Sequence, residues 1–147
     1  MPAPQDDPDL AAYPDFVVVE HTADWALRVY GSDFPALLRN AARGMNSLLV
    51  EDVSAVGTDV AVRLALEAFD RESMLVEWLS ELAYLAETEG LIFDDFDLER
   101  ATPTVLQGVI RGGRAPALQK HIKAVTYHGL EVVERAHGLE ATVVFDV

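Results

Sequence analysis

Residues 16–31, Phe16-Val17-Val18-Val19-Glu20-His21-Thr22-Ala23-Asp24-Trp25-Ala26-Leu27-Arg28-Val29-Tyr30-Gly31, decide the fold class. Phe16 to Glu20 is short and rich in β-branched residues, which favour an extended strand. His21 to Asp24 then interrupts the apolar run with small and polar residues. Trp25, Leu27 and Val29 alternate with Ala26, Arg28 and Tyr30, the period-two pattern of a half-buried strand, and Gly31 ends it. Two strands in succession exclude a doubly wound parallel sheet, in which a helix must carry the chain from each strand to the next.

Outward from this pair, Ser32 or Asp33 can cap a helix by accepting a free backbone N–H, and Pro35 falls in its tolerated first turn. Phe34, Leu37, Leu38, Ala41, Met45, Leu48 and Leu49 form its apolar stripe, which stops near Val50. Val60, Val62, Leu64 and Leu66 alternate as a strand. Asp70 caps a second helix with the stripe Met74, Leu75, Trp78, Leu79, Leu82, Leu85 and Ala86, ended by Gly90. Leu91 to Leu98 reads as one short strand broken at Asp94-Asp95. Thr104 to Arg111 is another, turned by Gly112-Gly113, and Ile122–Tyr127, Leu130–Glu134 and Ala141–Phe145 complete the set. The expectation is an α/β fold of the α+β type, a mixed, mostly antiparallel sheet with two main amphipathic helices packed on one face. It forms a single domain over residues 16–147. Residues 1–15, with Pro2, Pro4, Pro8 and Pro14 among Asp6, Asp7, Asp9 and Asp15, read as a disordered acidic leader.

A length of 147 residues suits one ordinary domain with its own core. No apolar run is long enough for a membrane-spanning helix, and the N-terminus has no signal-peptide pattern. The absence of cysteine excludes disulfides, thiolate zinc sites and a cysteine nucleophile, and fits a cytoplasmic setting. The net charge of −14 argues against autonomous nucleic-acid binding, which relies on neutralising phosphates. Between Arg100 and Leu130 there is no acidic residue, while Arg100, Arg111, Arg114, Lys120 and Lys123 are basic. A β region that lacks helix-surface glutamates accounts for this; a basic docking face is the alternative.

The chain shows no nucleophile elbow, no phosphate-binding loop, no dinucleotide fingerprint and no paired-histidine zinc helix. Its chemistry is expected where His21-Thr22-Ala23-Asp24 meets Asp146-Val147. An Asp at a strand break can cap a bend, bind a hard cation through oxygen, or orient His21 for proton transfer. Asp146 and the α-carboxylate of Val147 put two anionic groups in one dipeptide. With Asp24 opposite, such like charges need a cation or a basic residue between them, and Lys123 is a candidate. In Lys123-Ala124-Val125-Thr126-Tyr127-His128, alternation sets Lys123, Val125 and Tyr127 on one face and Ala124, Thr126 and His128 on the other. An ordinary edge strand with polar residues is the plainer account of that segment.

Taken together, these segments resemble the archease family. The resemblance rests on His-Thr-Ala-Asp at 21–24 before a strand and Gly31, and on Leu-Val-Glu-Trp-Leu at 75–79 in the second helix. It continues with Lys-Ala-Val-Thr-Tyr-His at 123–128 and Phe-Asp-Val at 145–147. It implies a non-catalytic, cytoplasmic accessory protein of an RtcB-type RNA ligase, promoting guanylylation and multiple turnover in tRNA splicing or RNA repair. The family's metal-binding positions match Asp24, Asp146 and Val147, implying a divalent ion (Ca, Mg or Mn). His21, Lys123 and His128 match partner-activating positions near them. The resemblance also implies an alternative, a chaperone for a tRNA methyltransferase or another RNA-modifying enzyme. RNA would be met only indirectly, and no membrane is involved.

Overall fold

Both helices start where the sequence supplies a side-chain acceptor. The computed structural model describes residues 13–20 and 24–147. In chain order these form β1 (Phe16–Glu20), β2 (Trp25–Gly31), α1 (Phe34–Leu49), β3 (Val60–Glu67), α2 (Arg71–Glu89) and β4 (Leu91–Ala101). Then come β5 (Val105–Arg114), β6 (Ala124–Thr126), β7 (Val133–Arg135) and β8 (Gly138–Asp146), with a short 3-10 turn at Val53–Ala55 after α1. Asp33 Oδ1 accepts from Ala36 N at 2.9 Å and caps α1. At α2 the cap is reciprocal: Ser73 N donates to Asp70 Oδ1 at 2.8 Å while Asp70 N donates to Ser73 Oγ at 3.0 Å. Gly90, at φ 67°, ends α2 in the left-handed conformation that glycine adopts without a Cβ penalty.

Among the described residues every strand pair is antiparallel, and the fold is of the expected α+β type. The strands divide between two sheets rather than one. The five-stranded sheet runs β1-β2-β8-β6, with β7 also on β8; the three-stranded sheet runs β3-β5-β4. The outer edge of β4 is closed by α1 rather than by another strand. Asn46 Nδ2 donates to Phe93 O at 2.7 Å and Arg39 Nε to Phe96 O at 3.2 Å. These side chains satisfy carbonyls that a neighbouring strand would otherwise use. Trp78 Nε1 donates to Leu38 O at 2.8 Å and fixes α2 on α1. The core between sheets and helices holds Leu27, Leu38, Met45, Leu75, Trp78, Phe93, Ile110, Val143 and Phe145, all essentially inaccessible. Burying a side chain of this size contributes about 1.5–3 kcal/mol.

Several boundaries differ from the sequence expectation. Gly112-Gly113 does not turn the chain but lies within β5. A Cβ at Gly112 would run into Ile92 O, and one at Gly113 into the Gly57 backbone, so these glycines permit close approach of neighbouring chain. Strand β4 continues through Asp94-Asp95 to Ala101, absorbing the irregularity as register shifts at Phe93/Asp95 and Leu98/Arg100. Strands β6 and β7 are shorter than expected and β8 is longer, because β8 pairs with β2 along one edge and with β6 and β7 in turn along the other. The first twelve residues of the expected leader lie outside the described residues. Its last three do not hang free: the Tyr13 ring stacks on His137 at 4.0 Å, and Tyr30 N donates to Asp15 O at 3.0 Å.

Candidate functional site

Strand β8 carries the site because it lies between β2 and β6. Its register with β2 pairs Ala26 with Val144 and Trp25 with Phe145. The ladder ends at that last pair, which Asp24, just before β2, and Asp146, the last residue of β8, each adjoin. Leu27, Val143 and Phe145 face the core, and Ala26 on the other face is also buried. On the other side of β8, Ala124 pairs with Asp146 and Lys123 N donates to Asp146 O at 2.7 Å. Asp24 is half-buried and Asp146 exposed. Val147, which follows Asp146, packs its side chain against the core.

This donor set is all oxygen. Among the described residues no group of three or more His, Cys, Asp or Glu side chains is placed to hold a metal. The ligands expected from the sequence are the carboxylates of Asp24 and Asp146 and main-chain oxygen of Val147, with water. That set fits a hard divalent cation that retains part of its hydration, and does not fit a soft one.

Lys123 is tied to Asp146 through its backbone, and alternation turns its side chain to the α2 side of the sheet. There it lines a cleft of about 220 Å³ with Ser80, Ala83, Tyr84 and Glu87. Glu87 organises the approach to β6. Its Oε1 accepts from Ile122 N at 3.1 Å, and its Oε2 lies 3.0 Å from His121 Nδ1. Lys120 Nζ sits 4.1 Å from the centroid of the Trp25 ring, a cation–π contact that ties the same segment to β2 beside Asp24. His128 is exposed beyond β6, its N–H donating to Thr126 Oγ1 at 3.3 Å. It lies two residues beyond the end of β6, the strand whose first residue pairs with Asp146. The neighbouring Tyr127 hydroxyl is held above its ordinary pKa by partial desolvation and by the Glu77 and Asp70 carboxylates. His21, Thr22 and Ala23 lie outside the described residues.

The model of the Archease protein family (MTH1598/TM1083) matches residues 16–147. The chain belongs to the archease family. The archease of Archaeoglobus fulgidus is 36% identical over 133 residues, covering 88% of this chain and 96% of that one. That of Methanosarcina acetivorans is 34% identical over 137 residues, covering 88% and 93%. Among solved structures, Methanobacterium thermoautotrophicum protein 1598 superposes with a TM-score of 0.74 at 27% identity, over 90% of this chain and 99% of that one. An archease from Thermotoga maritima, described as a possible chaperone, has the same fold with a TM-score of 0.57 at 23% identity, over 88% and 94%.

Within this archease domain, sequence reasoning passed over the residues that set the loops. Glu87, His121 and Lys120 carry no local signal, since their partners are distant in sequence. Glu72 is a similar case: its Oε2 accepts from Val132 N at 2.8 Å and seats the segment before β7. His137 is 5% exposed, with its ring between Tyr13 and Tyr30, and neither ring nitrogen has a hydrogen-bond partner. Arg111 pairs across the ladder with Asp95, Arg114 Nη1 donates to Glu89 O at 2.9 Å at the end of α2, and Lys120 covers Trp25. No helix among the described residues is long and apolar enough to cross a membrane.

Proposed function

We propose that this chain is a non-catalytic accessory protein of an RtcB-type RNA ligase, promoting guanylylation and multiple turnover in tRNA splicing or RNA repair. Family membership supports the reading, and one structural observation carries it: the β2–β8 register ends at Trp25 and Phe145, the residues that Asp24 and Asp146 adjoin. Two carboxylates at the end of a rigid ladder repel unless positive charge joins them. A divalent ion (Ca, Mg or Mn) held there supplies charge that both carboxylates share and that a docked ligase can draw on. Asp24 and Asp146 hold it, with main-chain oxygen of Val147 beside them. Lys123 and the clamped segment 120–123 keep the end of β8 in place, and His21 and His128 complete the partner-activating set.

Guanylylation and multiple-turnover ligation by the cognate ligase, with and without this protein, test the reading. Asp24→Asn and Asp146→Asn should each lose the stimulation while retaining the wild-type circular dichroism spectrum and melting temperature. Full stimulation by both variants would sink it. The Thermotoga maritima protein's description as a possible chaperone favours a second reading, in which the chain keeps a tRNA methyltransferase or similar enzyme from aggregating. Protection that survives both substitutions and a chelator, without any effect on ligation, is the outcome that selects it.

A further inference from the structure

Strand edges expose rows of unpaired N–H and C=O groups, and folded proteins usually protect them. Among the described residues the other edges are short or covered. Strand β1 has five residues, β6 and β7 have three each, β6 packs on α2, and the β4 edge is closed by Asn46 and Arg39. Strand β3 differs. It has eight residues, Val-Ala-Val-Arg-Leu-Ala-Leu-Glu, and an unbroken register with β5 on one side only. Among the described residues no hydrogen bond besides that ladder reaches its backbone. It has no proline, no bulge and no charge pointing into the core, since Val60, Val62, Leu64 and Leu66 face inward. The outward row is Ala61, Arg63, Ala65 and Glu67, all exposed.

That row is complementary to itself. When two copies of β3 run antiparallel with Ala65 on the two-fold axis, Arg63 of each lies opposite Glu67 of the other. Registers centred on residue 63 or 67 oppose Arg63 to Arg63 or Glu67 to Glu67, which like-charge repulsion disfavours. Phe69, 93% exposed, lies two residues beyond the strand at the same end of the row as Glu67. Arg63 already pairs with Glu99 of its own chain at 3.0 Å, so it would lie between two carboxylates. Each copy carries −14, but at physiological ionic strength such repulsion is screened beyond about 8 Å, whereas the cross-strand pairs act at contact.

We propose that the β3 edge is a docking surface for a second copy of this chain, joining two three-stranded sheets into one continuous six-stranded sheet about a two-fold axis at Ala65. An isologous interface of this kind closes on itself and does not propagate into fibres.

The absence of native cysteine makes the test direct. Ala65→Cys places two thiols across the axis, where opposite Cβ atoms are about 4.5–5.5 Å apart. Mild oxidation of the full chain should give a covalent dimer. Ala61→Cys, on the same face but roughly 26 Å from its own copy, should give none above background. In sedimentation equilibrium, Glu67→Arg opposes Arg63 to a new cation without touching the Arg63–Glu99 pair. It should weaken association at least about tenfold, with an unchanged melting curve in dilute solution. Arg63→Glu combined with Glu67→Arg should recover most of the loss. A wild-type chain that stays monomeric at every concentration overturns the proposal. So does a dimer indifferent to Glu67→Arg, or equal cross-linking by A61C and A65C. Amide protection of β3 that appears only on adding a different protein would also overturn it, assigning the edge to a heterologous strand instead.

Discussion

Asn46 offers the sharpest test of how the two sheets are held together. Its side chain is 3% exposed, and Nδ2 donates at 2.7 Å to the carbonyl of Phe93, itself 2% exposed. Asn46→Ala removes the donor and leaves that carbonyl with no route to water. An unsatisfied buried acceptor costs about 1–3 kcal/mol, and the space left behind adds to it. We expect a loss of about 2–3 kcal/mol. For a domain of this size that lowers the melting temperature by roughly 5–10 °C and the urea midpoint by about 1 M at unchanged m-value. Asn40→Ala is the matched control. Its Nδ2 bonds Tyr30 O at 2.8 Å at a half-buried position, so the loss should be nearer 1 kcal/mol. Asn46→Asp sharpens the argument, because it sets a carboxylate against a carbonyl in the same pocket. Its folded-state pKa should rise above the unfolded value. The deficit is then largest at neutral pH, shrinks as pH falls through the raised pKa, and is smallest below the unfolded value, where the protonated group can donate. Urea titrations at several pH values read all three variants. If Asn46→Ala costs under about 0.5 kcal/mol, or Asn46→Asp equals it at neutral pH, the bond to Phe93 does not hold β4 to α1.

Gly112→Ala should cost about 3 kcal/mol or more, because its Cβ meets the backbone of β4 rather than a flexible side chain. Gly90→Ala has open space around it and only positive φ to strain, so about 1–2 kcal/mol is expected; denaturant midpoints that reverse this order would restore the turn reading of Gly112-Gly113. The Ser73 N–H and hydroxyl hold the Asp70 carboxyl below the ordinary carboxylate range. Its cap therefore stabilises α2 above the unfolded pKa and weakens as pH falls through the folded one. The melting-temperature gap between wild type and Asp70→Ala should be present at neutral pH and narrow in acid; a gap independent of pH contradicts the capping role.

Local signals were legible and non-local ones were not. Asp33, Asp70 and Gly90 marked helix ends because a cap is made by residues within one turn of it. The alternation in β2 and β3 placed their faces for the same reason. Gly112-Gly113 misled because glycine serves both sharp turns and close backbone approach, and only the position of Ile92 and Gly57 decides which. The single sheet became two because the side chains of Arg39 and Asn46, read only as part of a helix, close the edge of β4. At the candidate site, Asp24 and Asp146 stood out as carboxylates at strand ends, and the register shows that both adjoin its last pair, Trp25 with Phe145. Glu87, the clamp on segment 120–123, looked like any surface glutamate of α2, since its partners lie 34 and 35 residues away.

The place of β8 in its sheet has a consequence for synthesis. The three-stranded sheet is assembled from residues 60–114 and can close as soon as they are available. The five-stranded sheet cannot, because β2 waits for a partner about a hundred residues further along. At translation rates of about 5–20 residues per second, β2 spends on the order of 5–20 s without β8. In that interval α1 is the neighbour that covers Leu27 and Val29, and only afterwards does β8 fill the place between β2 and β6. Maturation of the domain is thus ordered in time, with the β2–β8 ladder among the last features to form.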